Sequence, residues 1–376
     1  MNRVLWIDLI RVTGAFLVVM SHTCRRIADG FPLNEKGEEI VSLTWLVTEC
    51  FHALSSSVAV PLFLMVSGSL LLDRTVEVVP FYRKRFGKVL LPFLAWSCVF
   101  ILCLWFAGRG LKDGTPVTWF SAIGALLSGN VCGHFWFMYM LIALYLIVPF
   151  LSVFVRNASK NMLIGFLTLW FVTIVIFPVL NIFAKDTLGI EGIVGSSPPL
   201  ERGWILYSIG FFVAGYVLKD IVIPKRWAVI AILAWFCLAL TQVNTYLRGT
   251  YPDSSMSFYL TLLGKYVLLI VGHPITMSFI AFLGLRSLGN IPSSTSRFTQ
   301  VIVNFAPMTF GIFLCHNLFL IPAMEILVKK FSLGSGESGL IVLFVIPALT
   351  VFFYCFSAGL VYVIRRSRYL QALFAP

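Results

Sequence analysis

The sequence predicts an all-α, polytopic integral membrane protein with about ten transmembrane helices, and its composition is the first reason. Of the 376 residues, 59% are hydrophobic and only 12% are charged, whereas about a quarter of the residues of soluble domains are charged. Apolar stretches of about 20 residues, long enough to cross a bilayer, recur along the whole chain. An ordinary soluble protein is therefore excluded. No linker, repeat or low-complexity segment divides the chain, so we expect a single membrane-embedded domain over residues 1–376.

The apolar stretches define the individual spans. The predicted spans are 4–24, 51–72, 89–106, 134–154, 162–183, 203–219, 227–247, 257–283, 304–327 and 339–364. The third is short but apolar throughout, and the seventh and eighth have soft boundaries, so nine or eleven spans remain alternatives. An even number places both termini on one side. The longest polar stretches, around 25–48, 107–133 and 184–202, are predicted loops on the other side.

Basic residues are distributed unevenly between the two sets of loops. With the N terminus inside, sixteen of the 28 Lys and Arg residues fall in inner segments and ten in the longer outer loops, which leaves Arg11 and Lys265 in the membrane. Acidic residues show the opposite bias, since the inner loops contain only Asp73, Glu77 and Asp220. Because cytoplasmic loops accumulate Lys and Arg, we expect an N-in/C-in protein.

Charge and cysteine content narrow the choice of partners. The net charge of +12 does not imply nucleic acid, because the inner loops account for it and anionic membrane lipid is a sufficient partner. The eight cysteines are scattered, with neither a disulfide framework nor metal-ligand spacing, so no metal site is expected. Cys24, Cys50 and Cys132 lie toward the outside, where pairing between two of them remains an alternative.

The first span carries ionisable residues that need an explanation, because polar groups placed in lipid are usually functional. Arg11 and His22 are separated by ten residues. At about 100° per residue they return to within roughly 20° of the same helix face after about 16 Å of rise. Asp8 precedes Arg11 by three residues, a spacing at which side chains pair on one face. The alternative is structural: Asp8 and Arg11 form an orienting ion pair, and His22 caps the end of a span.

Four further histidines fall in or beside predicted spans. His52 and His134 begin the second and fourth spans, so we expect His22, His52 and His134 at one level near the outer surface, either as a site or as interfacial caps. His316 lies in the middle of a span, where an unsatisfied polar group is costly, and we expect it to line a cavity. His273 and Lys265, in the eighth span, are weaker candidates for a cavity lining or, for Lys265, for an interface.

A basic segment at 81–88 is predicted as an inner loop that sets four cations beside the membrane. These cations agree with the enrichment of Lys and Arg in cytoplasmic loops, and they can interact with anionic lipid headgroups. Alternatively, Arg83, Arg85 and Lys88 hold the phosphates of a cytosolic nucleotide-like donor, because guanidinium groups bind phosphate in a bidentate manner. No glycine-rich phosphate loop is present. Ser67-Gly68 and the pair Gly210 and Gly215 indicate close helix packing.

Six motifs occur in register with a known family. The first-helix pattern Asp8-x-x-Arg11 followed by ten residues and His22 resembles the signature of the integral-membrane acyltransferase-3 family, which includes O-acetyltransferases of bacterial surface polysaccharides. The other matching segments are VPLFLMVSG (60–68), YRKRFGKVLLPFLAW (82–96), HFWFMYMLIALY (134–145), SIGFFVAGY (208–216) and GIFLCH (311–316). The resemblance spans nearly the whole chain. Asn317 and the run of serines at 55–57 depart from the family pattern, and many members have proline where this chain has Asn317.

The resemblance implies an O-acyltransferase, most similar to stand-alone members such as the enzyme that acetylates enterobacterial common antigen, because no hydrolase-like domain follows the last span here. Acetyl-CoA would be the co-substrate, with no bound cofactor, and a sugar hydroxyl of a cell-surface glycan or lipid-linked saccharide would be the acceptor. The expected location is the bacterial cytoplasmic (inner) membrane. Neither the acceptor, the length of the acyl group nor the oligomeric state follows from the resemblance.

Roles for individual residues follow from this expectation. His22 would act as a general base or form a transient acyl-imidazole. Arg11 would orient the donor or stabilise developing negative charge, with Asp8 fixing its rotamer. Trp136 and Tyr139 are candidates for stacking on the sugar or the donor.

A secondary transporter or exporter of glycan precursors or organic acids is the alternative function, because intramembrane charges also mark translocation paths. The absence of an evident internal repeat argues against it. A purely structural or sensory subunit would leave Arg11 and His22 unexplained.

Overall fold

The architecture is a bundle of long helices. The computed structural model describes residues 5–374 apart from 36, 38, 75–76, 112, 189–203, 251–268, 291–295 and 336–338. In this part of the chain, β structure is limited to one bridge between Leu33 and Glu39. The α-helices are α1 (Leu5–Ala28), α2 (Leu43–Leu71), α3 (Val78–Phe106), α4 (Trp119–Ser128), α5 (Trp136–Asn157), α6 (Lys160–Phe171), α7 (Phe177–Leu188), α8 (Trp204–Leu218), α9 (Lys225–Thr250), α10 (Pro274–Leu288), α11 (Arg297–Phe305), α12 (Thr309–Phe331), α13 (Gly339–Arg366) and α14 (Arg368–Phe374).

The all-α membrane class is confirmed. Among the described residues, seven helical runs are long and apolar enough to cross a membrane: 5–28, 43–71, 78–106, 133–157, 160–185, 297–331 and 339–366. The run at 160–185 joins α6 to α7 through a π-helical turn at Val172–Ile176, and the run at 297–331 joins α11 to α12 through a 3₁₀ turn at Ala306–Met308. The other three predicted spans overlap α8, α9 and α10.

Several boundaries differ from the sequence prediction. The segment predicted as an inner basic loop at 81–88 is helical, because α3 begins at Val78 and nothing after Pro80 in its first turn breaks the helix. In the eighth predicted span, α10 begins only at Pro274, where the His273 side chain caps the Ile275 N–H. The residues 257–268 of that span, with Lys265, lie outside the described residues.

The predicted outer loop 107–133 contains an unexpected helix. The short helix α4 is bounded by a capping box at Thr118 and Ser121 and by a left-handed Gly129. Its apolar side chains are largely exposed, with Trp119 88% and Phe120 90% accessible. Ten residues are too few to span a bilayer. The predicted loop therefore contains a short helix, which apolar runs of spanning length do not reveal.

Helices α1 and α2 form the centre of the bundle. Helix α1 packs against α2, α10, α12 and α13, while α2 also contacts α8 and α9. At the crossing of α2 and α8, a methyl group on Gly68 would overlap the Phe212 carbonyl, and one on Gly215 would overlap that of Met65. The predicted close-packing role of these two glycines is thus confirmed. Because neighbouring helices pack around α1, Asp8 is buried and Arg11 and His22 are half-buried.

Candidate active site

Helix α1 carries three of the predicted site residues. It is one continuous helix from Leu5 to Ala28, so Arg11 and His22 lie on one face as the spacing predicts. Asp8 is buried, with 6% of its surface exposed, whereas Arg11 and His22 are half-buried. Both Asp8 and Arg11 interact with other groups of the protein. The helix thus connects a cation near its start to an imidazole near its end.

Three histidines from different parts of the chain meet beside α1. The ring centroids of His22 and His134 are 6.1 Å apart, those of His22 and His316 5.2 Å, and those of His134 and His316 4.9 Å. His134 belongs to a 3₁₀ turn, Gly133–Phe135, that leads into α5, and His316 belongs to α12. Both are buried. We call His22, His134 and His316 the histidine cluster.

The two ring nitrogens of His134 both have hydrogen-bond partners. Its Nε2 lies 3.3 Å from the Leu314 carbonyl, and because a carbonyl only accepts, Nε2 is the N–H donor. Its Nδ1 then accepts from the Asn317 side-chain amide at 3.0 Å and lies 3.1 Å from the Cys132 thiol. These bonds fix the ring and its tautomer, so His134 is held rigidly at the edge of the cluster.

His316 has a different environment. Its Nδ1 lies 3.1 Å from the Ile312 carbonyl and 2.8 Å from the Phe313 carbonyl, both in its own helix, so Nδ1 is the N–H donor. In the neutral ring, Nε2 therefore carries a lone pair. Among the described residues this buried nitrogen has no hydrogen-bond partner. Nε2 of His316 is therefore a hydrogen-bond acceptor without a partner in the described part of the chain, in a ring that lies beside that of His22.

His52 does not join the cluster, contrary to the expected level of three outer histidines. Its Nδ1 lies 3.7 Å from the carboxylate of Glu49, one turn earlier in α2. It remains within electrostatic range of His22, as does Arg26. Helix α2 begins at Leu43, so His52 lies nine residues inside the helix and not at its start as predicted. The packing of α12 against α1 brings His316 beside His22 instead.

The basic segment at the start of α3 faces two directions. Phe81, Arg85 and Lys88 are spaced four and three residues apart and share one helix face. The Arg85 guanidinium lies over the Phe81 ring at 5.7 Å and is half-buried. Arg83, two residues earlier, is on the other side and exposed, and Lys88 is also exposed. The three predicted donor-binding residues are therefore not brought together as one cluster.

Arg85 and Arg11 converge on one buried residue. The Tyr145 hydroxyl lies within electrostatic range of both guanidinium groups. The Tyr145 ring in turn contacts Phe81, with centroids 6.3 Å apart. The face of α1 that carries Arg11 is thereby connected to the basic face of α3. Tyr145 ends the segment 134–145 that resembles the family, but the sequence alone assigned it no role.

The two predicted aromatic residues of α5 have different surroundings. The Tyr139 hydroxyl donates to the Leu126 carbonyl of α4, and its ring packs on Phe93 with centroids 5.2 Å apart. Tyr139 therefore holds α4 against the bundle. Trp136 instead lines two adjoining cavities of about 470 and 280 Å³.

These adjoining cavities, which we call the Trp136 cleft, lie between α2, α5, α8 and α10. Both are lined by Val60, Trp136, Tyr207 and Pro274. The first cavity is also lined by Glu49, His52, Ser56 and Ser57, and the second by the more apolar set Leu64, Met140, Ile174, Ser208 and His273. The cleft thus combines polar groups with aromatic and aliphatic walls.

A second, more polar cavity lies where α1 and α12 end. It has a volume of about 730 Å³ and is lined by Arg26, Asp29, Glu325 and Lys329 among others. Arg26 pairs with Asp29 at 2.9 Å, and Glu325 pairs with Arg109 at 2.9 Å. Arg26 lies one turn after His22 in α1, so this cavity lies at the end of the helix that carries His22.

The cysteines and possible metal ligands complete the site. All eight cysteines are free thiols, including Cys24, Cys50 and Cys132. Within the described ranges, no group of three or more His, Cys, Asp or Glu residues is arranged to hold a metal ion. Sequence reasoning missed the contacts of Cys132 and Asn317 with His134. For Asn317, the sequence contained one indication of such a contact, namely that it stands where many family members have proline.

Comparison with known proteins identifies the family. No curated protein and no solved structure matches the chain. A family model described as an acyltransferase domain, Acyl_transf_3, matches residues 4–365, which include α1, the basic face of α3 and the whole histidine cluster. Since this match covers nearly the whole chain, the protein belongs to the membrane acyltransferase-3 family.

Proposed function

We propose that this protein is an O-acetyltransferase that moves an acetyl group from cytosolic acetyl-CoA to a sugar hydroxyl of a cell-surface or lipid-linked glycan. The observation that carries the proposal is the histidine cluster around His22, on the same face of α1 as Arg11. In a member of a membrane acyltransferase family, this arrangement joins a cation to a potential base across about 16 Å of helix.

The donor would enter where α1 and α3 begin. Its phosphates would meet Arg85, with Lys88 further out on the same face, because guanidinium groups form charge-assisted hydrogen bonds to phosphate. The thin pantetheine arm would then pass Tyr145 and Arg11 toward His22. Arg83 is exposed on another side of α3 and contributes general positive charge.

His22 would perform the proton transfer or carry the acyl group. As a general base it takes the proton of the acceptor hydroxyl while the oxygen attacks the thioester carbon. As a nucleophile it forms an acyl-imidazole that the hydroxyl then resolves. Arg11 would orient the donor, and Asp8 would in turn position Arg11.

The acceptor would approach from the opposite end of α1 through the Trp136 cleft. Aromatic faces such as that of Trp136 stack on the apolar faces of sugars, while Glu49, His52 and the serines of the cleft offer hydrogen bonds to hydroxyls. We assign this end to the outer surface of the bacterial cytoplasmic membrane, with both termini in the cytoplasm. That orientation follows from the positive-inside distribution.

The first test replaces His22. We expect His22→Ala to reduce acetyl transfer by about 10²–10⁴-fold, the usual contribution of a general base. The measurement follows release of free CoA and transfer of label from radiolabelled acetyl-CoA to extracted envelope glycan, using purified protein in nanodiscs. Cys24→Ala is the matched control, because Cys24 is a buried residue of the same helix with no proposed role.

The outcomes separate the candidate functions. Labelling by the wild type and by Cys24→Ala but not by folded His22→Ala supports the proposal. Equal labelling by His22→Ala would remove His22 from the mechanism. If even the wild type consumes no acetyl-CoA in the presence of envelope glycan, acyl transfer is wrong and solute transport becomes the better hypothesis.

A further inference from the structure

We propose that His316 holds the proton that His22 takes from the acceptor hydroxyl during acyl transfer, an inference that rests on the proposed function. His316 is a buried imidazole whose ring lies 5.2 Å from that of His22, centroid to centroid. It would act through His22 and not on the substrate, and is therefore a positioning residue. Three observations carry the inference.

The first observation is the fixed orientation of the ring. Two backbone carbonyls of the preceding turn, those of Ile312 and Phe313, accept from Nδ1 of His316. This double anchor assigns the hydrogen to Nδ1 and the lone pair to Nε2. These two hydrogen bonds are sufficient to hold the ring in place, so they alone would also fit a structural role.

The second observation is the remaining nitrogen. Among the described residues, Nε2 of His316 is buried and has no donor. A buried polar atom without a partner is costly in a membrane protein and calls for an explanation. A lone pair that receives a proton only during the reaction gives such an explanation, because the ring N–H of His22 then turns toward it only when His22 takes the acceptor proton.

The third observation is the contrast with His134. The His134 ring is also close to both other histidines, with centroids 4.9 Å from His316 and 6.1 Å from His22. Its Nε2 is engaged by the Leu314 carbonyl and its Nδ1 by Asn317 and Cys132. Neither nitrogen is free to take a further proton, so of these two neighbours His316 alone has the required lone pair.

The step follows the general-base route and conserves every proton. The acceptor oxygen bonds to the acetyl carbonyl carbon, and the C–S bond to CoA breaks. The hydroxyl proton moves to one ring nitrogen of His22, while the hydrogen on the other ring nitrogen of His22 moves to Nε2 of His316. The proton then returns through His22 to the CoA thiolate. Alcohol and acetyl-CoA become ester and free CoA, with both histidines neutral again.

Two substitutions separate this role from a structural one. His316→Asn keeps an amide N–H near the Nδ1 position, where it can still donate to the Ile312 and Phe313 carbonyls, but has no base. His316→Gln places an acceptor oxygen near the Nε2 position but likewise binds no proton. Cys315→Ala is the matched control for packing, because Cys315 is the adjacent, fully buried residue of α12.

We expect both His316 variants to lower kcat by about tenfold or more. This is less than the roughly 10²–10⁴-fold contribution of a general base, because His316 acts through His22. The KM for acetyl-CoA and for the acceptor should be nearly unchanged. Cys315→Ala should keep the wild-type kcat. The measurement is steady-state acetyl transfer by protein in nanodiscs, with thermal unfolding to establish that each variant is folded.

A wild-type kcat in either folded His316 variant would overturn the inference, because an anchoring role is satisfied by Asn and an accepting role by Gln. If one variant does not fold, the other decides. A raised KM with unchanged kcat would equally overturn it and assign His316 to binding. Failure of the wild type to transfer acetyl contradicts the proposed function itself, and is thus distinct from these results.

Discussion

Neighbouring residues of the same type have different surroundings in this protein, and their contacts decide what each can do. Arg83 and Arg85 are two positions apart in α3. Arg85 lies over the Phe81 ring and within electrostatic range of Tyr145, on the side that also receives Arg11. Arg83 is exposed on the other side. The same charge is therefore expected to bind the donor in one case and to face the aqueous or headgroup region in the other.

This difference predicts unequal effects on donor affinity. We expect Arg85→Ala to raise the KM for acetyl-CoA by about tenfold, the usual effect of losing one charge-assisted hydrogen bond, whereas Arg83→Ala should change it by less than about twofold. The comparison requires initial rates over a range of acetyl-CoA concentrations at saturating acceptor. Equal effects of the two variants would show that general positive charge, and not the Arg85 face, holds the donor.

At the level of elements, close contact of backbones positions α2 and α8. Gly68 of α2 abuts the Phe212 carbonyl, and Gly215 of α8 abuts that of Met65, so each helix presents a glycine to the backbone of the other. In membranes such small residues allow helices to approach closely. Since α2 also packs along α1, this crossing supports the helix that carries His22.

This close crossing predicts that adding one methyl group at Gly68 lowers the stability of the protein. We expect Gly68→Ala to lower the free energy of unfolding by about 1–3 kcal/mol through overpacking. Gly165→Ala in α6 is the control, because nothing lies within 4 Å of its added methyl, and it should be neutral or slightly stabilising. Thermal unfolding can be followed by the reaction of a fluorogenic maleimide with the buried thiols of Cys24, Cys132 and Cys315. Equal melting temperatures for both variants would contradict close backbone packing at Gly68.

The whole molecule has two chemically different ends. The basic face of α3 and the start of α1 lie at one end, and His22 with the cavity at the end of α1 lies toward the other. The proposed acyl transfer across a membrane would require this separation, since its donor and its acceptor would occupy different compartments. The direction of transfer therefore depends on which end faces the cytoplasm.

The charge distribution predicts that orientation. A green fluorescent protein fused after Pro376 should fluoresce, because it folds in the cytoplasm, and alkaline phosphatase fused at Gly114 should be active, because it requires the oxidising side of the membrane. The reverse pair of fusions controls for expression. If the C-terminal green fluorescent protein is not fluorescent and a C-terminal phosphatase is active, the orientation is opposite to the predicted one. The proposed direction of transfer would then be wrong.

Much of this organisation could be predicted from the sequence. Composition and apolar length predicted the all-α membrane class, and the 3.6-residue period placed Arg11 and His22 on one face, because both properties depend on residues that are near in sequence. The prediction missed α4, which is too short for a spanning segment, and placed a basic loop where α3 is already helical.

The sequence by itself determined that the chain is a helical membrane protein, that α1 presents a cation and an imidazole on one face, and that the motifs are those of a membrane acyltransferase. The tertiary structure alone decided that His316 and not His52 meets His22, that Arg85 shares Tyr145 with Arg11, and that Nε2 of His316 is without a partner among the described residues. The physical reason is that helical periodicity is a local property, whereas contacts between residues as distant in sequence as His134 and Asn317 depend on how whole helices pack.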